Sequence, residues 1–205
     1  PMAKKKPATV VNRLVIIGLG LIGSSLAASV RNKGLAKEVI GISRRQSTLE
    51  IALNNGIVDR CVDDFSQVAK ELEQGDIVVI GVPTLSVPSV LQECISQISP
   101  EVTVTDVASV KESVVNSAVE LFGAVPPQLV PGHPIAGSEK SGVTAANPEL
   151  FVDHRVILTP VETTAKSHIE RTTKLWQSVG ALVSSMSVQE HDQILAATSH
   201  LPHFL

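Results

Sequence analysis

Apolar residues along this chain fall into short β-branched runs separated by stretches of helical spacing. The runs are RLVIIG (13–18), EVIGI (38–42), DIVVIG (76–81), VTVTDV (102–107), QLVPG (128–132) and RVILTP (155–160). Most end in Gly, Pro or a small polar residue, a pattern that predicts strands buried on both faces and paired in parallel. Segments 21–33, 48–55, 65–74, 85–98, 109–122 and 164–179 repeat apolar residues at helical intervals. Ser47 with Glu50 and Ser109 with Glu112 fit capping boxes, and Asn55-Gly56 fits a helix end. Strand and helix alternating in this way predict an open α/β sheet with right-handed crossovers.

Composition narrows the class. The 205 residues are 43% hydrophobic and 18% charged, with net charge −3 and 2% aromatic residues, which suits a globular chain with a Val, Ile, Leu and Ala core. A mildly acidic balance and no basic run beyond Lys4 to Lys6 argue against nucleic acid as a partner. No apolar stretch approaches the ~20 residues of a membrane span, nor does the N-terminus carry a signal-peptide core, so a cytoplasmic protein is expected. Cys61 and Cys94 lack metal-ligand or redox spacing and read as reduced structural thiols; no metal centre is expected. Pro1 ahead of Met2 is set aside as a residue left by expression, and residues 1–11 read as a flexible tail.

The chemistry begins at VIIGLGLIGSSLA. Gly18, Gly20 and Gly23 make G-x-G-x-x-G after an expected strand and at the opening of a helix, with Leu21 and Ile22 between them, the context in which the motif binds a dinucleotide. Backbone donors and the helix N-terminus there suit a pyrophosphate. The second strand ends in GISRRQST, where NAD-binding domains usually place an acid for the ribose hydroxyls. Ser43, Arg44 and Arg45 stand there instead, with Thr48 following, and they suit a 2′-phosphate. NADP is therefore expected in preference to NAD; the bland alternative is a solvated arginine pair. Further polar residues fall at later strand ends, at Val82-Pro83-Thr84, at Asp106 to Lys111 and at His133, and five strand ends are expected to converge on one cleft. His133, between Gly132 and Pro134, is expected on a stiff turn just past a strand, as a catalytic or binding group or else as a satisfied turn histidine.

Four segments, GLGLIGSSLA, DVASVK, GHPIAGSEKSG and HDQILAATSHLPH, occur in the order and at the distances of the prephenate and arogenate dehydrogenases. From Asn12 onward the chain resembles their nucleotide-binding domain, with a Rossmann-like, doubly wound sheet. The resemblance implies NAD(P)-dependent oxidative decarboxylation of prephenate to 4-hydroxyphenylpyruvate on the route to tyrosine, with arogenate as the alternative substrate. More distant alternatives are another β-hydroxyacid-type reductase and a non-catalytic NADP-sensing module. By the same resemblance His133 is the catalytic base, and Ser109 bonds it and sits near the nicotinamide, with Asp106 among the cofactor residues. Glu139, His200 and His203 fall on the substrate side, whereas His191 and Asp192 match an HD pair that fixes local structure. The implied domain order is a nucleotide-binding domain over 12–186 and, over 187–205, the start of a helical substrate and dimerisation domain that is otherwise absent. The implied partners are a small-molecule substrate and a second copy of the chain, joined through that helical domain.

Overall fold

A computed structural model describes residues 8–137 and 140–200, except for the side chains of residues 199 and 200. Six parallel strands form the main sheet: β1 (Val11–Ile17), β2 (Ala36–Ile42), β3 (Arg60–Val62), β4 (Ile77–Ile80), β5 (Thr103–Asp106) and β6 (Leu129–Val130), in the order β3-β2-β1-β4-β5-β6. This is the strand order of a Rossmann-like dinucleotide fold, and the order reverses between β1 and β4, where such sheets open a ligand crevice. Alternation within each strand divides the core in two. Leu14, Ile16, Ile77 and Val79 face α1 (Leu21–Asn32), α2 (Gln46–Asn54) and α6 (Lys166–Ser178). Val15, Ile17, Val78 and Ile80 face α3 (Ser66–Ala69), α4 (Val87–Ile95) and α5 (Glu112–Phe122). Helices cover both faces, so the strands read as unbroken apolar runs rather than alternating ones.

A second sheet was not foreseen. The run 128–132 divides at Pro131: β6 stays in the main sheet, while β7 (Gly132–Ile135) pairs antiparallel with β8 (Arg155–Leu158), which pairs parallel with β9 (Leu182–Ser185). The expectation that 155–160 lies in the parallel sheet is thus corrected. A parallel pair needs a crossover, and α6 supplies one between β8 and β9, whereas the helical structure in the β7–β8 link is, among the described residues, a short 3-10 turn. His133 is correspondingly a strand residue opposite Ile157, not a turn residue. Strand β7 is an edge, where a proline without an N–H is tolerated.

Both expected capping boxes fail. The N-cap of α2 is Arg45 and that of α5 is Lys111, and neither helix has a side-chain bond from its cap residue. The expected 65–74 helix shrinks to the four residues of α3, started by the Asp64 carboxylate, which accepts from the Ser66 amide at 2.9 Å. The helix end at Asn55-Gly56 is as expected, with Gly56 at φ +66°. A last helix, α7 (Val188–His200), occupies the segment expected to open a helical domain and packs on α5. No helix among the described residues is long and apolar enough to cross a membrane.

Candidate active site

The loop between β1 and α1 is shaped by steric need. Gly18 has φ +96°, and a Cβ there would lie 2.6 Å from the Gly81 carbonyl oxygen at the end of β4. A Cβ on Gly23 would lie 2.2 Å from the Gly18 carbonyl oxygen, so helix and loop can touch only without one. Gly20 differs, because a Cβ there would meet nothing within 4 Å. Its bareness serves no internal contact and leaves a cradle beside the first turn of α1, whose N-cap contributes no side-chain bond. Leu21 and Ile22 open that turn and are half-buried. Free amides at a helix N-terminus, beside a backbone with no Cβ in the way, fit a pyrophosphate.

Beside this loop lies a cleft of about 370 Å³, lined among others by Gly18, Ser43, Arg44, Arg45, Val82 and Pro83. Arg44 and Arg45 are exposed, with guanidinium groups that can reach a phosphate; Asp63 and Asp64 share the cleft wall. The expected Thr48 is half-buried on α2 and Thr84 is exposed in a 3-10 turn, and neither lines the cleft. The cleft is therefore built from the ends of β1, β2, β3 and β4, and the last two of the five expected strand ends form a separate cluster.

That cluster is organised around buried charge. Asp106, expected among the cofactor residues, is fully buried with its carboxylate spent inside the protein: it accepts from the Ala108 amide at 3.0 Å, the Gly132 amide at 3.2 Å and the Lys111 ammonium. Lys111 is fully buried too and also donates to the Gly132 carbonyl at 2.7 Å. Burial pulls the Lys111 pKa down, opposed by the charge of Asp106. Together the two side chains pin the start of β7 to the carboxyl end of β5.

One residue on, the half-buried His133 ring places Nδ1 2.9 Å from His191 Nε2. His191, fully buried in the first turn of α7, places its own Nδ1 2.7 Å from Asp192 Oδ1. Asp192 in turn accepts from the amides of Lys111 and Glu112, each at 3.0 Å, and so caps α5 from about 80 residues away in sequence. Burial would raise the Asp192 pKa, but the Lys111 amide, His191 and the Glu112 amide outweigh it and hold the carboxylate low. His133 is pushed down to about 4 by burial, then by His191 and Lys111, against the pull of Asp106 and Asp192. At neutral pH it is an uncharged imidazole.

Ser109 is exposed, and among the described residues no hydrogen bond joins it to His133, whose Nδ1 is taken by His191. The expected pairing is not formed in this structure. Glu139 and His203 lie outside the described residues, as does the side chain of His200, the last residue of α7. The role of Lys111 in holding the site was missed, whereas His191 and Asp192, expected to fix local structure, do so beside His133 and at the start of α5. The one signal for Lys111 was compositional: DVASVK adds two charges to a segment that otherwise carries none between Glu101 and Glu112.

Residues 26–185 match the family model described as the nucleotide-binding domain of prephenate dehydrogenase. The prephenate dehydrogenase of Bacillus subtilis (strain 168) is 36% identical over 94% of this chain, which covers 51% of that relative. The cyclohexadienyl dehydrogenase of Zymomonas mobilis is 34% identical over 96% of this chain and 66% of its own length. The chain thus spans between about half and two-thirds of these relatives. Among solved structures, prephenate dehydrogenase from A. aeolicus, in complex with hydroxyphenyl propionate and NAD+, superposes with a TM-score of 0.85 at 31% identity, covering 94% of this chain and 66% of that one. On sequence and architecture together, the chain belongs to the prephenate dehydrogenase family, through that family's nucleotide-binding domain.

Proposed function

We propose that the protein is an NADP-preferring prephenate dehydrogenase that converts prephenate to 4-hydroxyphenylpyruvate. The observation that carries this reading is the placement of His133, held on β7 beside the Gly132–Asp106 bond at the carboxyl end of the sheet that also builds the Gly18 to Gly23 cradle. The nicotinamide, when bound, supplies the hydride acceptor. In this reading the amides opening α1 hold the pyrophosphate, and Ser43, Arg44 and Arg45 hold the 2′-phosphate; each charge-assisted contact is worth ~1.5–3 kcal/mol. His133 takes the proton of the substrate's ring hydroxyl as the carbon bearing it gives up hydride; carbon dioxide leaves and the ring becomes aromatic. Ser109 lies three residues before α5 and is free to meet substrate or nicotinamide. Glu139, His200 and His203 contribute to the substrate side by family resemblance, and the same resemblance supports a cytoplasmic homodimer.

Arogenate is the second reading, favoured by the cyclohexadienyl relative. Steady-state rates with both substrates, each with NADP and NAD, on the complete protein decide between them. His133→Asn should lower kcat by about 10²–10⁴ while leaving cofactor affinity and unfolding temperature near those of the unaltered protein. A variant with normal kcat would remove His133 from the chemistry and the reading with it.

A further inference from the structure

We propose that His191 and Asp192 are positioning residues that fix the proton of His133 on Nδ1, leaving Nε2 as a bare acceptor facing substrate. The inference rests on the reading of His133 as the base and goes on to say which nitrogen does the work and what sets it.

Asp192 receives two backbone amides at 3.0 Å and the His191 ring at 2.7 Å. An ionised carboxylate only accepts, so His191 must carry its proton on Nδ1. A neutral His191 then has a bare Nε2, and the 2.9 Å contact with His133 Nδ1 needs one proton. Only His133 can supply it. With both rings neutral, no other placement of protons satisfies both contacts. The same logic governs other catalytic imidazoles oriented by a buried carboxylate, where the carboxylate sets the tautomer without taking the proton itself.

The arrangement is closed into a ring. The Lys111 amide bonds Asp192, the Lys111 side chain bonds the Gly132 carbonyl, and Gly132 precedes His133. His133 is thus gripped by its backbone through Lys111 and by its ring through His191. Helix α7 is itself fixed at this end, since Ser187 accepts from the Glu190 amide through Oγ and from the His191 amide through its carbonyl. The rings meet edge to face, with planes 75° apart, which aims the His191 Nε2 lone pair at one edge of His133.

Nitrogen-15 NMR of histidine-labelled protein reads the tautomer directly, and kinetics on the complete protein reads its use. In the unaltered protein His133 should show a protonated Nδ1 and a bare Nε2. His191→Leu removes the acceptor, so His133 should revert to the Nε2–H form that a free imidazole prefers, and kcat should fall about 10²-fold or more with KM and cofactor affinity unchanged. His191→Gln can donate to Asp192 and accept from His133, so it should keep the tautomer and recover kcat to within about tenfold of the unaltered value. A proton on Nε2 in the unaltered protein overturns the proposal, as does a Leu variant with unchanged tautomer and kcat. Leu and Gln variants equally slow, with no change of tautomer, would assign His191 to packing and overturn it too. If the Leu variant does not fold, the unaltered protein and the Gln variant still decide. Normal kcat in His133→Asn, with the tautomer as stated, would sink the base assignment separately.

Discussion

The two halves of the site are held by different forces. The cofactor cradle is made of backbone, with shape set by contacts that only glycine permits at Gly18 and Gly23 and with exposed arginines at its rim. The half around His133 is made of side chains, including a fully buried ion pair, two imidazoles meeting edge to face and a carboxylate that also caps a helix. In the first half, function and stability separate: the groups that would touch ligand carry little of the fold. In the second, the groups that set the place of His133 also hold the fold: Lys111 and Asp106 pin β7, and Asp192 caps α5.

Changes that break this contrast should differ most in stability. Lys111→Met leaves the Asp106 carboxylate buried without its counter-charge, an imbalance that typically costs about 3–5 kcal/mol. Thermal unfolding should show the loss, and adding Asp106→Asn should restore part of it, because the unpaired charge is gone while an amide oxygen remains to accept from the Ala108 or Gly132 amide. Arg44→Ala should leave unfolding untouched and weaken NADP by roughly 1.5–3 kcal/mol, erasing any preference over NAD, as two calorimetric titrations would measure. Equal affinity for both cofactors in the unaltered protein would sink the arginine reading.

The smallest expected effect is a pH dependence. His133 has a folded pKa of about 4 against an ordinary 6.5, so the unfolded chain takes up the proton first. The contribution is fully present above pH 6.5 and is lost as pH falls toward 4. Burial lowers the His168 pKa too, adding a loss in the same direction. Chemical denaturation of the unaltered protein and of His133→Asn between pH 7 and 4 should diverge by on the order of 1 kcal/mol, discounted for the partial exposure of His133, with the variant flatter. Parallel curves would show that His133 is not desolvated in solution.

The same division explains what could be read in advance. Strands such as Ile77–Ile80 announce themselves because burial on both faces makes every residue apolar. The glycine loop is contiguous, so its spacing alone carries its meaning. Capping failed as a guide because Ser109 with Glu112 is a local pattern, whereas the donors at the start of α5 are met by Asp192. The His133–His191 contact spans 58 residues and joins a strand edge to a helix, and nothing periodic marks it. Proline and glycine around His133 suggested a turn because a strand edge and a strand centre look alike until the sheet is assembled.

The Asp192 cap also bears on how the chain acquires its parts during synthesis. Every residue lining the cofactor cleft lies at or before Cys94, and 97 positions separate Cys94 from His191. At a ribosomal rate of about 5–20 residues per second, the cradle has emerged roughly 5–20 s before the groups that orient His133. The amides opening α5 wait through that interval for their acceptor, and the helix gains its cap only when α7 docks. The residues of the cleft are thus made well before the groups bonded to the His133 ring, and the start of α5 is open until α7 supplies Asp192.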